Sequence, residues 1–209
     1  MQWLEMIQEA GYQLPSDQFP GFDHGLEVHH LSLRDSLKLT KAMQTNQQHL
    51  DGYLPLFDKR EGKTVPKIQR WIFQMLKEEF PSQHFVFTIG EQLVGFASTL
   101  PISDNPREVQ LRYMVFEGFT GRGIATSIAH TLEFYSFRVW GFHRVYIEMD
   151  SSNRASMAVA QKLGYRFAGT KDVSKAGTKE SGFWYSFVKE RPEVFPDGVL
   201  QGRPIEDFI

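Results

Sequence analysis

The chain has 209 residues, 23 of them Lys or Arg and 25 Asp or Glu, so its formal charge is −2, and 41% of it is hydrophobic. That balance excludes the concentrated cationic field needed to coat nucleic acid or an anionic membrane. With no cysteine there is no disulfide, no thiolate metal site and no thiol nucleophile, which suits a reducing compartment.

Trp3, Ile7 and Ala10 ahead of Gly11 predict a short amphipathic helix, and Pro15, Pro20 and Gly21 then break the chain. Residues 1–25 therefore read as an N-terminal extension. Its Glu5 and Glu9, and the lack of any apolar run near ~18 residues, predict a cytoplasmic protein that stays off membranes. Leu26–Leu31 alternates like an edge strand, and Ser32 with Asp35 forms a capping box for a helix carrying Leu39, Ala42 and Met43. From Val65, the residues Ile68, Trp71, Ile72, Met75, Leu76 and Glu79 keep the rhythm of a helix with one buried stripe.

His84–Ile89 and Leu93–Leu100, separated by Gly90, Glu91 and Gln92, predict a β-hairpin, with Val109–Phe116 a third strand of the group. Gly118, Gly121 and Gly123 punctuate a turn. Ile124, Ile128, Leu132, Tyr135 and Val139 then mark a long helix. Arg144–Asp150 alternates again, Ser151, Ser152 and Asn153 are N-cap candidates for a helix through Leu163, and Gly164 ends it. Tyr165–Gly169 and Gly182–Lys189 predict two final strands, and residues 191–209 an irregular tail packed by Phe195, Leu200 and Phe208. The order is β-α-α-β-β-β-α-β-α-β-β. It predicts an α+β domain at residues 26–190, with a mixed, mostly antiparallel sheet of about seven strands flanked by helices on both faces.

At Thr120-Gly121-Arg122-Gly123-Ile124-Ala125 a strand feeds a helix through closely spaced glycines. The free amides of such a turn, added to the positive end of a helix dipole, form a site for phosphate or pyrophosphate, and Arg122 can add charge. A plain tight turn with a solvated arginine fits the same letters. A dinucleotide fingerprint does not, because position 126 is Thr126, and no Gly-Lys-Ser/Thr follows for a P-loop.

These residues carry a family likeness. The turn resembles the Gln/Arg-x-x-Gly-x-Gly/Ala signature of the GCN5-related N-acetyltransferases, with Gly123 and Ala125 in place and Thr120 where Gln or Arg is usual. Asn153-Arg154-Ala155-Ser156, followed by Val159, Ala160, Leu163, Gly164 and Tyr165, is similar to a run in the family's RimJ/RimL-like subgroup. Leu31 to Pro55, with Asp35 and Asn46, resembles the subgroup's N-terminal strand and helix.

The resemblance implies acetyl-coenzyme A as cosubstrate and transfer to a primary amine, on a protein N-terminus or a small molecule, in a ternary complex. It also implies a V-shaped opening between the strands that end near Val115 and Asp150. Main-chain groups near Met114, Val115 and Phe116 would pair with the pantetheine arm, and Gly121–Thr126 would meet the phosphates. Asn153 would cap its helix or bond the pantetheine amides. Many relatives protonate the departing thiolate with a tyrosine seven residues after the helix-opening Asn. That place here holds Ala160, and the subgroup likeness offers Ser156.

Attack on the thioester needs a neutral amine: at pH 7 an α-amine is roughly 14% neutral and a lysine about 0.04%. Glu108, Glu148 and Asp150 are the candidate bases, each equally readable as a solvated or salt-bridged carboxylate. His29 and His30 point to opposite faces of a strand and the other histidines lack ligand spacing, so no metal is expected. Trp71, Trp140 and Trp184 read as packing residues. A catalytically inactive coenzyme A-binding regulatory or interaction module is the alternative, and the two chain ends read equally as contacts for a second copy or a protein partner and as segments packed on the parent domain.

Overall fold

The computed structural model describes residues 25–51, 64–78, 82–102, 105–172 and 182–192. Apolar–polar alternation resolves into seven strands: β1 (Leu26–His30), β2 (Gln83–Ile89), β3 (Gln92–Pro101), β4 (Glu108–Val115), β5 (Arg144–Asp150), β6 (Arg166–Asp172) and β7 (Phe183–Glu190). They form one sheet in the order β1-β2-β3-β4-β5-β7-β6. Only β4 and β5 run parallel. The predicted mixed sheet is present.

Helices α1 (Ser36–Thr45), α2 (Gln47–Asp51) and α3 (Val65–Met75) cover one face. Leu39, Met43, Ile68 and Ile72 are fully buried there against Val86, Phe96, Met114 and Phe116. Pro66 sits in the first turn of α3, where a missing N–H costs nothing. Helices α4 (Ile124–Phe134) and α5 (Arg154–Lys162) cover the other face, with Ile128, Leu132 and Ala160 buried against Leu111, Val115, Ile147 and Met149. Each large apolar side chain so enclosed contributes about 1.5–3 kcal/mol.

Several local readings change: the helix rhythm expected on to Glu79 ends as α3 at Met75, and the short helix α2 follows α1 where none was expected. The long helix predicted through Val139 ends as α4 at Phe134 and closes in a π turn, Tyr135–Val139, where the Trp140 N–H reaches the Tyr135 carbonyl (2.9 Å). The Ser32–Asp35 box caps a 3-10 turn, Leu33–Asp35, that leads into α1; Ser32 N–H and Oγ–H both donate to Asp35 Oδ2 (2.9 and 2.7 Å). Strand β6 continues past Gly169 to Asp172, because β7 offers it partners as far as Phe183. The helix predicted at Trp3–Ala10 and the tail around Phe195, Leu200 and Phe208 lie outside the described residues.

The feature that positions the site is a parting in the sheet. β4 and β5 pair from Glu108/Arg144 only to Leu111/Ile147. Beyond that point β4 stays with β3 as far as Val115/Gly95, and β5 stays with β7 as far as Asp150/Trp184. Each strand follows its antiparallel neighbour, and the right-handed twist of the sheet draws the two apart. The predicted opening toward Val115 and Asp150 is there.

Candidate active site

Above the parting, β4 leads through the 3-10 turn Glu117–Phe119 into the glycine turn. Gly121 and Gly123 have φ of 74° and 80°. A Cβ at either would meet nothing within 4 Å, so left-handed backbone rather than crowding selects glycine, and the space over the turn is open. The first helical bond of α4 runs from Ser127 N–H to the Gly123 carbonyl (3.0 Å). Ile124, Ala125 and Thr126 therefore present amides with no intrahelical acceptor. Thr120 turns its hydroxyl inward to the Glu117 carbonyl (3.0 Å), and the Arg122 guanidinium lies 5.8 Å from the centroid of the Phe119 ring.

The turn is tied to the opposite layer by Asn46. Its Oδ1 accepts the Glu117 N–H (2.7 Å) while its Nδ2 donates to the Ala42 carbonyl at the end of α1 (2.8 Å).

Between β4 and β5 the gap opens into a cavity of about 530 Å³. Met114, Val115, Thr120, Gly121, Gly123, Ile124, Ala125, Thr126, Glu148, Asn153 and Ser156, all singled out from the sequence, line it. Phe116, Arg122 and Glu108 do not. The Phe116 N–H donates to the Val94 carbonyl (3.0 Å) and its ring is buried under α1 and α3. With Phe116 bonded to β3, antiparallel alternation bonds Met114 to β3 as well and turns the main-chain groups of Tyr113 and Val115 toward the gap. Of the three residues expected to offer backbone there, only Val115 does so, joined by Tyr113. Glu108 sits at the closed end of the parallel pair, where its carboxylate bonds Arg144 (2.9 Å) and Asn105 Nδ2 (2.8 Å). That position lies away from the gap.

Asn153 caps α5, its Oδ1 accepting the Ser156 N–H (3.0 Å). The Ser156 hydroxyl lies 2.9 Å from that of Tyr113. Burial pushes the Tyr113 phenol up to about 12, against the pull of that hydrogen bond. Tyr113 is among the lining residues that sequence reasoning missed, as are His49, Leu50, Phe119 and Trp184; strand alternation from Leu111 and Val115 marks the face of Tyr113, but nothing in the letters marks its partner.

On the other face of the gap, Glu148 accepts from Lys171 Nζ, Ser186 Oγ (3.3 Å) and Gln110 Nε2 (3.5 Å). Arg112 stands beside it; burial draws its guanidinium below the ordinary value and Glu148 draws it back. Asp150 is engaged by Ser152, whose N–H and Oγ–H reach its Oδ1 (2.8 and 2.5 Å). Among the described residues no cluster of His, Asp and Glu can hold a metal ion.

A parted parallel strand pair, with a glycine turn over the gap and a capped helix N-terminus beside it, agrees with the sequence comparison, in which the GNAT acetyltransferase domain profile matches residues 26–166. The chain belongs to that family. This GNAT chain is similar in fold to RimL, a ribosomal L7/L12 alpha-N-protein acetyltransferase solved with coenzyme A (TM-score 0.71, 16% identity, 82% of this chain and 97% of that one). It is also similar in fold to MccE, a microcin C7 self-immunity acetyltransferase solved with acetyl-CoA and AMP (TM-score 0.69, 15% identity, 82% and 97% covered). In sequence it is 23% identical over 87 residues to spermidine N(1)-acetyltransferase of Escherichia coli (strain K12), a stretch covering 42% of this chain and 47% of that enzyme. The chain thus spans about half the length of the curated relatives it matches.

Proposed function

We propose that this GNAT chain is an acetyl-CoA-dependent N-acetyltransferase that passes the acetyl group directly to a primary amine, on a protein N-terminus or a small molecule, held in the same gap. The catalytic domain in this reading is residues 26–190, with 1–25 and 191–209 as additions, and the location is cytoplasmic. The observation that carries it is the parted strand pair: main-chain groups of Tyr113 and Val115 are left without a strand partner beneath a turn that opens a helix whose first amides, Ile124 to Thr126, have no intrahelical acceptor. An extended amide-bearing arm ending in a diphosphate complements both, the arm adding a strand to β4 and the diphosphate meeting amides and helix dipole.

The roles follow from chemistry and position. The amides of Gly121 to Thr126 hold the diphosphate, Asn153 fixes the start of α5, and Ser156 donates a hydrogen bond to the departing thiolate. Glu148, already engaged by Lys171, Ser186 and Gln110, faces the gap as an anchor for an ammonium or a water. An α-amine, roughly 14% neutral at pH 7, needs no stronger base.

Free-thiol release from acetyl-CoA across N-terminal peptides, polyamines, amino acids and aminoglycosides tests the reading. Turnover with at least one amine is expected. Heat on titration with coenzyme A but no turnover would replace it with a binding module, and no heat would remove both. Ser156→Ala is expected to lower kcat by about tenfold to a hundredfold at unchanged KM for acetyl-CoA.

A further inference from the structure

Ser156 and Tyr113 are the one pair of hydroxyls bonded to each other across the gap among the described residues. A serine hydroxyl carries one proton on a freely rotating bond and can accept as well as donate. Ser156 sits in the first turn of α5 with its own N–H committed to Asn153. Nothing in the helix itself dictates where its Oγ–H points. The half-buried phenol of Tyr113, by contrast, has one proton to place, and Ser156 Oγ is the partner within reach. Tyr113 reaches Ser156 from the strand that borders the gap, its ring packed against the core beneath. The geometry allows either oxygen to donate; a phenol is the stronger donor and an alkyl hydroxyl the better acceptor, which favours Tyr113 Oη–H donating to Ser156 Oγ.

We propose that Tyr113 is a positioning residue for the acyl transfer: by donating to Ser156 Oγ it occupies one lone pair of that oxygen and directs the serine proton into the gap, toward the departing sulfur. The inference rests on the reading of Ser156 as the thiolate's hydrogen-bond donor. Tyr113 itself loses no proton. Its phenol, held neutral by burial to about pH 12, keeps donating throughout the working range. The same residue turns its main-chain groups toward the gap, so one strand position would register both an arm added to β4 and the group that meets its sulfur.

The test is a cycle of wild type, Tyr113→Phe, Ser156→Ala and the double variant, each measured for kcat, for KM of acetyl-CoA and, by calorimetry, for coenzyme A affinity. Phenylalanine keeps the ring and removes only the hydroxyl. Tyr113→Phe is expected to lower kcat by about tenfold, with KM and affinity within about twofold, and to have no further effect once Ser156 is alanine. Wild-type kcat in Tyr113→Phe, or a loss that repeats in full in the Ser156→Ala background, would overturn the positioning role. A loss of coenzyme A affinity matching the loss in kcat would overturn it too, in favour of plain packing. Failure of the underlying reading has its own mark, a Ser156→Ala enzyme as fast as wild type.

Discussion

At Gly123 one backbone angle decides the usefulness of the turn. A residue with a Cβ at φ near 80° costs about 1–2 kcal/mol, and the methyl would stand in open space beside the first amides of α4. Gly123→Ala is therefore expected to weaken coenzyme A binding by roughly tenfold while lowering stability by no more than that strain. Isothermal calorimetry with thermal denaturation reads both; unchanged affinity would mean that these amides do not grip the diphosphate. Carboxylates tell a parallel story. Glu108 and Glu148 are alike in the chain, both on strands that border the opening, yet one is locked to Arg144 at the closed end while the other faces the gap.

At the level of elements, the approach of α4 to the sheet depends on Gly95. A Cβ there would lie 2.7 Å from Ile128 Cδ1 and 2.8 Å from the Met114 carbonyl oxygen. The second atom is backbone and cannot swing aside, so Gly95→Ala must push β3 from β4 or α4 from both. The expected loss is about 1–3 kcal/mol, seen as a thermal midpoint lower by several degrees. Because α4 begins at the glycine turn, the same shift disturbs cofactor binding. A variant as stable as wild type would show that the layer yields freely. Asn46 plays the complementary part from the other layer, holding Glu117 and thereby the entry to the turn.

Across the whole molecule, β1 closes one edge of the sheet and carries His30, whose ring lies tilted with its centroid 4.7 Å from that of Phe85. Burial lowers its pKa from 6.5 to about 4. The folded state resists a proton that the unfolded state accepts below pH 6.5, so the stabilisation is complete above that pH and is lost as pH falls toward 4. It amounts to at most about 3 kcal/mol. Urea midpoints for the wild type should fall across this window, and the fall should be shallower in His30→Leu. Parallel pH profiles for the two proteins would contradict the assignment.

Much of this was legible from the letters because it depends on near neighbours. Alternation along Arg144–Asp150 separates Ile147 and Met149 from Glu148 and Asp150, the Asn153 cap reaches three residues to Ser156, and glycine spacing marks the turn. Strand and helix periods, caps and left-handed glycines are local properties of a chain; they carried the element order and, with the family resemblance, most of the residues that line the gap. What pairs Tyr113 with Ser156, Asn46 with Glu117, or Glu108 with Arg144 spans 43, 71 and 36 residues. Those pairings follow from which strand lies beside which. The bonding of β4 to β3 chooses which main-chain groups face the gap, and the insertion of β7 between β5 and β6 brings Lys171 and Ser186 to Glu148. Sheet order and register arise only when distant segments compete for the same edges, and no local pattern in the chain encodes the outcome.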